Sequence, residues 1–161
     1  MPAAGYIDAH NLRGAFFAHQ LQSLADLISD QGAVVLDDAG LPFPARAVST
    51  VLLIGESGEI SAVEIANALG HPHQLVTQRV ELLIASGAVE RIDDPRDGRR
   101  KILRLTPQGA NQFEVMQACL AKVAGAFADL FEELACDLPR EAKRVAQALG
   151  ERPLHERIRS Q

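Results

Sequence analysis

Between residues 88 and 105, two short runs that mix apolar and charged residues, Ala88-Val89-Glu90-Arg91-Ile92 and Lys101-Ile102-Leu103-Arg104-Leu105, flank a charged loop containing Pro95 and Gly98. The two runs read as strands, and a loop of this composition between them predicts an antiparallel hairpin. What precedes the hairpin narrows the fold further. Ser61-Ala62-Val63-Glu64 fits a capping box that opens a short helix running to Leu69, with Gly70 as its stop. A second helix is expected from Pro72, suited to a first turn, to Ser86, with Gly87 closing it. Two short helices joined by a tight glycine-containing turn make a helix-turn-helix. A hairpin directly after them makes a winged one.

The flanks of this lobe read as helix. From about residue 8 to 29 the apolar positions Leu12, Phe16, Leu21, Leu24 and Ile28 fall mostly at helical spacing, and Gly32 is the expected stop. Residues 37–44 read as a connection and 45–55 as a second helix, with Gly55 and Gly58 bracketing a break. After the hairpin, Thr106 and Pro107 form a helix start. Phe113, Met116, Leu120, Val123, Phe127, Leu130 and Leu134 then recur at alternating spacings of three and four. That is a heptad seam suited to lengthwise packing on another helix. Leu138, Ala142, Val145 and Leu149 continue the pattern after a break at residues 137–139.

The seam has two readings, packing on the first helix of the same chain or on a second copy. Two long amphipathic termini carry more apolar surface than one seam covers, so a two-fold interface built from both is the economical solution. The expected organisation is a single domain over 1–161, mainly α with a small β-hairpin wing. Residues 45–106 form the lobe, and 8–36 and 107–150 are dimerisation helices. The interface is assigned to Leu12, Phe16, Leu120, Val123, Phe127, Leu130, Leu134 and Leu149.

Hydrophobic residues make up 47% and charged residues 23%, the balance of a folded soluble chain. Residues 1–30 hold no uninterrupted apolar run, which argues against a signal peptide or membrane span and for the cytoplasm. Cys119 and Cys136, both placed in helices, are too few for a disulfide framework and read as reduced, buried thiols. His10, His19, His71 and His73 form no converging ligand set, so neither metal nor cofactor is expected. No phosphate loop, nucleophile elbow or metal-protease signature points to an enzyme. The net charge of −5 argues weakly against nucleic acid, but residues 91–104 hold six cations and three anions, a local basic patch on an acidic body.

Three stretches resemble the MarR family of transcriptional regulators. They are Val63-Glu64-Ile65-Ala66-Asn67-Ala68-Leu69-Gly70, Leu83-Ile84-Ala85-Ser86-Gly87-Ala88-Val89-Glu90-Arg91, and Asp94-Pro95-Arg96-Asp97-Gly98-Arg99-Arg100 leading into Leu103-Arg104-Leu105-Thr106-Pro107-Gln108-Gly109. The resemblance implies a dimer with interlocked terminal helices, the second helix of each lobe in the major groove and the wing over the adjacent minor groove. It also implies release from DNA by a small molecule or an oxidant. The chain departs from the family at Pro72, where many members carry a capping Ser or Thr.

On the second helix of the pair, Val76, Val80 and Leu83 share one face and should point into the lobe. Gln74, Gln78 and Glu81 lie opposite, with His73 and Thr77 to one side. Glutamine can bond adenine twice and threonine can touch a thymine methyl, so Gln74, Thr77 and Gln78 are the expected base readers, with His73 beside them. Glu81 is expected at the margin or paired with a cation. In the wing, Gly98 permits the turn and Asp97 can hold Arg99 by a charge-assisted bond. By resemblance Arg99 probes the minor groove, and Arg96, Arg100 and Lys101 are expected on phosphates. The competing reading of both features is a solvated polar surface, or a protein-interaction module without operator binding. An effector pocket is implied near Phe16, His19, Phe43, Arg46 and Phe113, where an apolar cleft with one cation suits a small aromatic or phenolic molecule.

Overall fold

The structure is a computed structural model in which residues 5–7, 9–95, 97, 98 and 100–159 are described. A 3-10 turn at Arg13–Phe16 leads into helix α1 (Phe17–Asp38), and a second at Ala45–Ala47 leads into α2 (Val48–Ser57). Then come α3 (Ala62–Leu69), α4 (His73–Ala85), strands β1 (Val89–Asp93) and β2 (Lys101–Leu105), and helices α5 (Pro107–Glu133), α6 (Leu138–Glu151) and α7 (Leu154–Arg159). This is a mainly helical chain with a winged helix-turn-helix. It divides into two compact units, one ending at Cys119 and the other beginning at Leu120.

The core of the first unit sits under the lobe. Ala47, Val51 and Ile54 of the second helical segment, Ile65 of α3, Val76, Val80 and Leu83 of α4, Val89 of β1, Leu103 of β2 and Met116 of α5 are all buried. The strands pair antiparallel from Val89 opposite Leu105 to Asp93 opposite Lys101. β2 has a second neighbour that periodicity did not reveal: Ile60 and Leu103 exchange two backbone hydrogen bonds, of 3.1 and 2.8 Å. The hairpin is therefore stitched to the segment just before α3.

Backbone docking holds the other side of the hairpin. Thr106 caps α5, its Oγ1 accepting from the Gly109 amide at 2.9 Å and donating to the Gly87 carbonyl at 2.6 Å. Its own amide donates to the Ala88 carbonyl at 3.1 Å. A Cβ on Gly109 would land on that same carbonyl oxygen. Glycine is required there by close approach.

Several expected boundaries move. Gly32 does not end α1, which runs another six residues to Asp38. An interior glycine costs about 0.5–1 kcal/mol against alanine, less than burying Leu36 on the extra turn returns. The stop is Gly40, at φ +69°, with Leu41 donating back to the Leu36 carbonyl at 3.0 Å. At the other end α1 begins at Phe17, so Leu12 and Phe16 precede it. Gly55 lies inside α2, where a Cβ would fall on the Phe113 ring, so it marks an approach of α2 to α5 and not a break. α2 ends instead at Gly58, at φ +73°, the far side of the expected break.

α5 stops at Glu133, and Leu134 and Cys136 lie in the turn that follows, closed by Ala135 at φ +48°. Cys136 is exposed, which corrects the expectation of two buried helical thiols. Cys119 is buried and faces the Val35 carbonyl of α1, Sγ to O 3.9 Å. In the second unit, Asp137 caps α6 by accepting from the Arg140 amide, and Phe127 and Phe131 stack with centroids 5.8 Å apart. No helix among the described residues is long and apolar enough to cross a membrane.

Candidate nucleic-acid interface

The Ser61 capping box opens α3 with both reciprocal bonds in place, and Gly70 closes it at φ +61°. One residue of extended chain later, α4 starts behind Pro72, which offers no side-chain cap. Burying Val76, Val80 and Leu83 turns the opposite face of α4 outward. His73, Gln74, Gln78 and Glu81 are exposed there and Thr77 is half-buried. The Thr77 hydroxyl donates to the His73 carbonyl at 3.0 Å, which leaves its methyl as the free end of the side chain. Glu81 pairs with Arg91 of β1 at 2.6 Å, as the sequence led us to expect.

Two further cations flank this face. The Arg79 guanidinium lies 2.9 Å from His71 Nδ1, and its buried Nε has no partner among the described residues. Arg46 lines an open groove of about 650 Å³ along α4, shared with Leu75, Thr77, Gln78, Arg79, Glu81 and Leu82. The sequence reading passed over Arg79. Its only local signal was a position beside Gln78.

Arg46, assigned to the effector pocket, thus stands beside α4. Phe43 lines a different groove of about 520 Å³, with Ala33, Val34, Leu36 and Leu41. Phe113 packs against Gly55, while Phe16 contacts His10 edge-on and His19 is exposed.

The wing divides into a stem and a tip. In the stem every described cation meets a carboxylate: Arg91 with Glu81, Lys101 with Asp93, Arg104 with Glu90 at 2.7 Å, and Arg100 with Glu64. Arg100 also places Nη2 3.3 Å from Ser61 Oγ and Nε 3.8 Å from Asp94. The Arg100 hydrogen bond first, then the Ser61 amide and hydroxyl, hold the Glu64 carboxyl down at about 2, and Glu64 raises Arg100 above its ordinary value. Neither Arg100 nor Lys101, both expected on phosphates, presents a bare charge.

Toward the tip, Asp97 donates its amide to the Asp94 carbonyl, and Arg100 donates to the Asp97 carbonyl at 2.8 Å. Gly98 does not adopt a positive φ, and a Cβ there would meet open space, so the turn does not depend on glycine as expected. Arg96 and Arg99, with the expected Asp97–Arg99 bond, lie outside the described residues. No group of three or more metal-ligating side chains forms among the described residues.

On the expected dimer seam, Leu12, Phe16, Leu130, Leu134 and Leu149 are exposed and Leu120, Val123 and Phe127 are partly so. Large exposed apolar side chains concentrate in the flanking helices. Within residues 45–106, Val63 alone is of this kind among the described residues.

Comparison with known proteins agrees with this architecture. The model of the MarR family matches residues 39–100, from the end of α1 to the wing. No curated protein matches the chain in sequence. Among solved structures, FabT of Streptococcus pneumoniae in complex with DNA is similar, with TM-score 0.64, 19% identity, and 84% of this chain and 96% of that one covered. The transcriptional regulator BldR of Sulfolobus solfataricus aligns with TM-score 0.61 and 16% identity over 88% and 99% of the two chains. Wild-type MarR of E. coli, in its apo form, aligns with TM-score 0.53 and 21% identity over 80% and 95%.

Proposed function

We propose, from the premise that residues 39–100 form a MarR-family lobe in a chain with the winged-helix fold of that family's regulators, that this protein is a homodimeric, sequence-specific DNA-binding transcriptional regulator. It acts as a repressor at a pseudo-palindromic operator with half-sites about one helical turn apart, and a small molecule releases it. The observation that carries this reading is the outer face of α4. Gln74, Thr77 and Gln78 stand together there without ion pairs, beside a hairpin and above a fully packed core.

In this assignment Gln74, Thr77 and Gln78 read bases with His73 at their edge, Arg99 enters the minor groove, and Arg96 holds phosphate. Asp97 shapes the tip. The similarity to FabT, whose structure is a complex with DNA, supports the reading. The apolar side chains left exposed on α1 and α6 support the dimer, since a soluble chain covers such stripes in an assembly. The apolar groove at Phe43 supports an aromatic or phenolic effector.

The self-paired stem favours a second reading, a winged-helix module that binds protein and no operator. Selection of bound sites from a random duplex pool separates the two. A recovered palindrome, bound with an affinity that falls steeply with salt, is the expected result. No enriched site, or a flat salt response, would overturn the reading.

A further inference from the structure

The Arg100 clasp joins elements far apart in sequence. Its guanidinium comes from the C-terminal root of the wing loop, one residue before β2, and its carboxylate is Glu64 in the first turn of α3. Glu64 is already engaged with Ser61, accepting from the Ser61 amide and hydroxyl at 2.8 Å each. Arg100 reaches the same hydroxyl at 3.3 Å. Asp94, at the other root of the loop, completes the group from 3.8 Å and donates its amide to the Arg100 carbonyl at 2.9 Å. Both roots of the tip are thereby tied to the N-terminus of α3, the helix that also positions α4.

We propose that Arg100 is a positioning residue for DNA binding, which clasps the wing root to the α3 capping box and sets where the tip stands relative to α4. The proposal rests on the DNA-binding reading above and makes one part of it specific: Arg100 acts through Glu64 and not on phosphate. The physical ground is geometric. A planar guanidinium whose Nη2 is held by Glu64 and Ser61, with Asp94 beside Nε, is fixed in direction, and turning it toward a phosphate would break its pair with Glu64. A two-stranded ribbon with a seven-residue loop would otherwise pivot about its stem. Register and orientation matter because base readers and wing must reach adjacent grooves together.

The two roles predict opposite signs for one substitution. Glu64→Gln keeps the capping box, since glutamine serves at that position, but removes the carboxylate from Arg100. If Arg100 is a positioning residue, Glu64→Gln weakens operator binding by roughly tenfold, as does Arg100→Ala, and the double variant is no worse than either, because both break one contact. If Arg100 were a phosphate contact restrained by Glu64, Glu64→Gln would free a cation and tighten binding. Arg100→Ala would then lower the dependence of log K on log salt by about one. Tighter binding by Glu64→Gln, additive losses or a reduced salt slope would each overturn the proposal.

A second measurement needs no DNA. Amide hydrogen exchange over residues 94–101 in the free protein should accelerate in both single variants while that of α4 is unchanged. Unaltered exchange would overturn the clasp even if the chain binds operator. Faster exchange in a protein that enriches no duplex would sink the DNA-binding reading and leave the clasp standing as a structural link only.

Discussion

The hairpin stem and the outer face of α4 make an instructive pair. The stem is the most charged stretch of the chain, yet its described cations are all consumed by carboxylates of the same molecule. The α4 face carries little charge, but Gln74 and Gln78 are exposed and outside any ion pair. Charge density in sequence therefore does not locate the groups available to a partner. The described charges of the stem are paired within the molecule, while the polar side chains of the outer α4 face stay exposed.

The largest effect should come from breaking what holds the stem in place. Gly109→Ala drives a Cβ into the Ala88 carbonyl, so a loss of about 1–3 kcal/mol or more is expected, read as a lowered melting temperature. An unchanged melting temperature would mean that backbone docking does not anchor the hairpin. Next, Arg99→Ala should weaken operator binding by about 1–3 kcal/mol with dimerisation intact by light scattering. Equal affinity would remove the tip from the DNA interface.

Gln78→Ala should cost a comparable or smaller amount, but only on the preferred base, so competition between operator variants is the right assay. A uniform loss across sequences would make Gln78 a backbone contact. Smallest is Lys101→Ala. Its pair with Asp93 is exposed on both sides, worth at most about 1 kcal/mol, so stability and affinity should hardly move. A large drop in affinity there would break the distinction between stem and tip.

The clasp also has a defined pH window. The folded Glu64 carboxyl is depressed, so its contribution is fully present above the ordinary value of 4.5 and is lost as pH falls through about 2. Between pH 5 and 8 amide exchange of the wing root should therefore show no change attributable to Glu64. A carboxyl titration near 4.5, followed by NMR, would contradict the ion pair.

Much of the fold was legible because it is written locally. The Ser61 box, the Gly70 and Gly87 stops, the inward face of α4 and the Thr106 cap each follow from residues within one or two turns of one another. Gly32 and Gly55 misled for the same reason. Local propensity marks glycine as a breaker, while Leu36 and Phe113 make these two interior positions. The outward face that carries the base-reading candidates followed from periodicity, and the choice of Gln74, Thr77 and Gln78 on it from side-chain chemistry and the family resemblance. The partners of Arg100, the Ile60 stitch on β2 and the place of Arg46 beside α4 were not legible, because each joins segments that only the packed chain brings together.

By itself, then, the sequence determined a winged helix-turn-helix with amphipathic flanks and an outward face on α4, since the 3.6-residue period dictates which side chains of a helix a core can take and the turn residues mark where elements end. Only the tertiary structure decided which charges are spent. An ion pair depends on the distance between side chains separated by as many as 36 residues, here Glu64 and Arg100, and no local pattern encodes that distance. The described cations of the hairpin proved to be paired within the molecule.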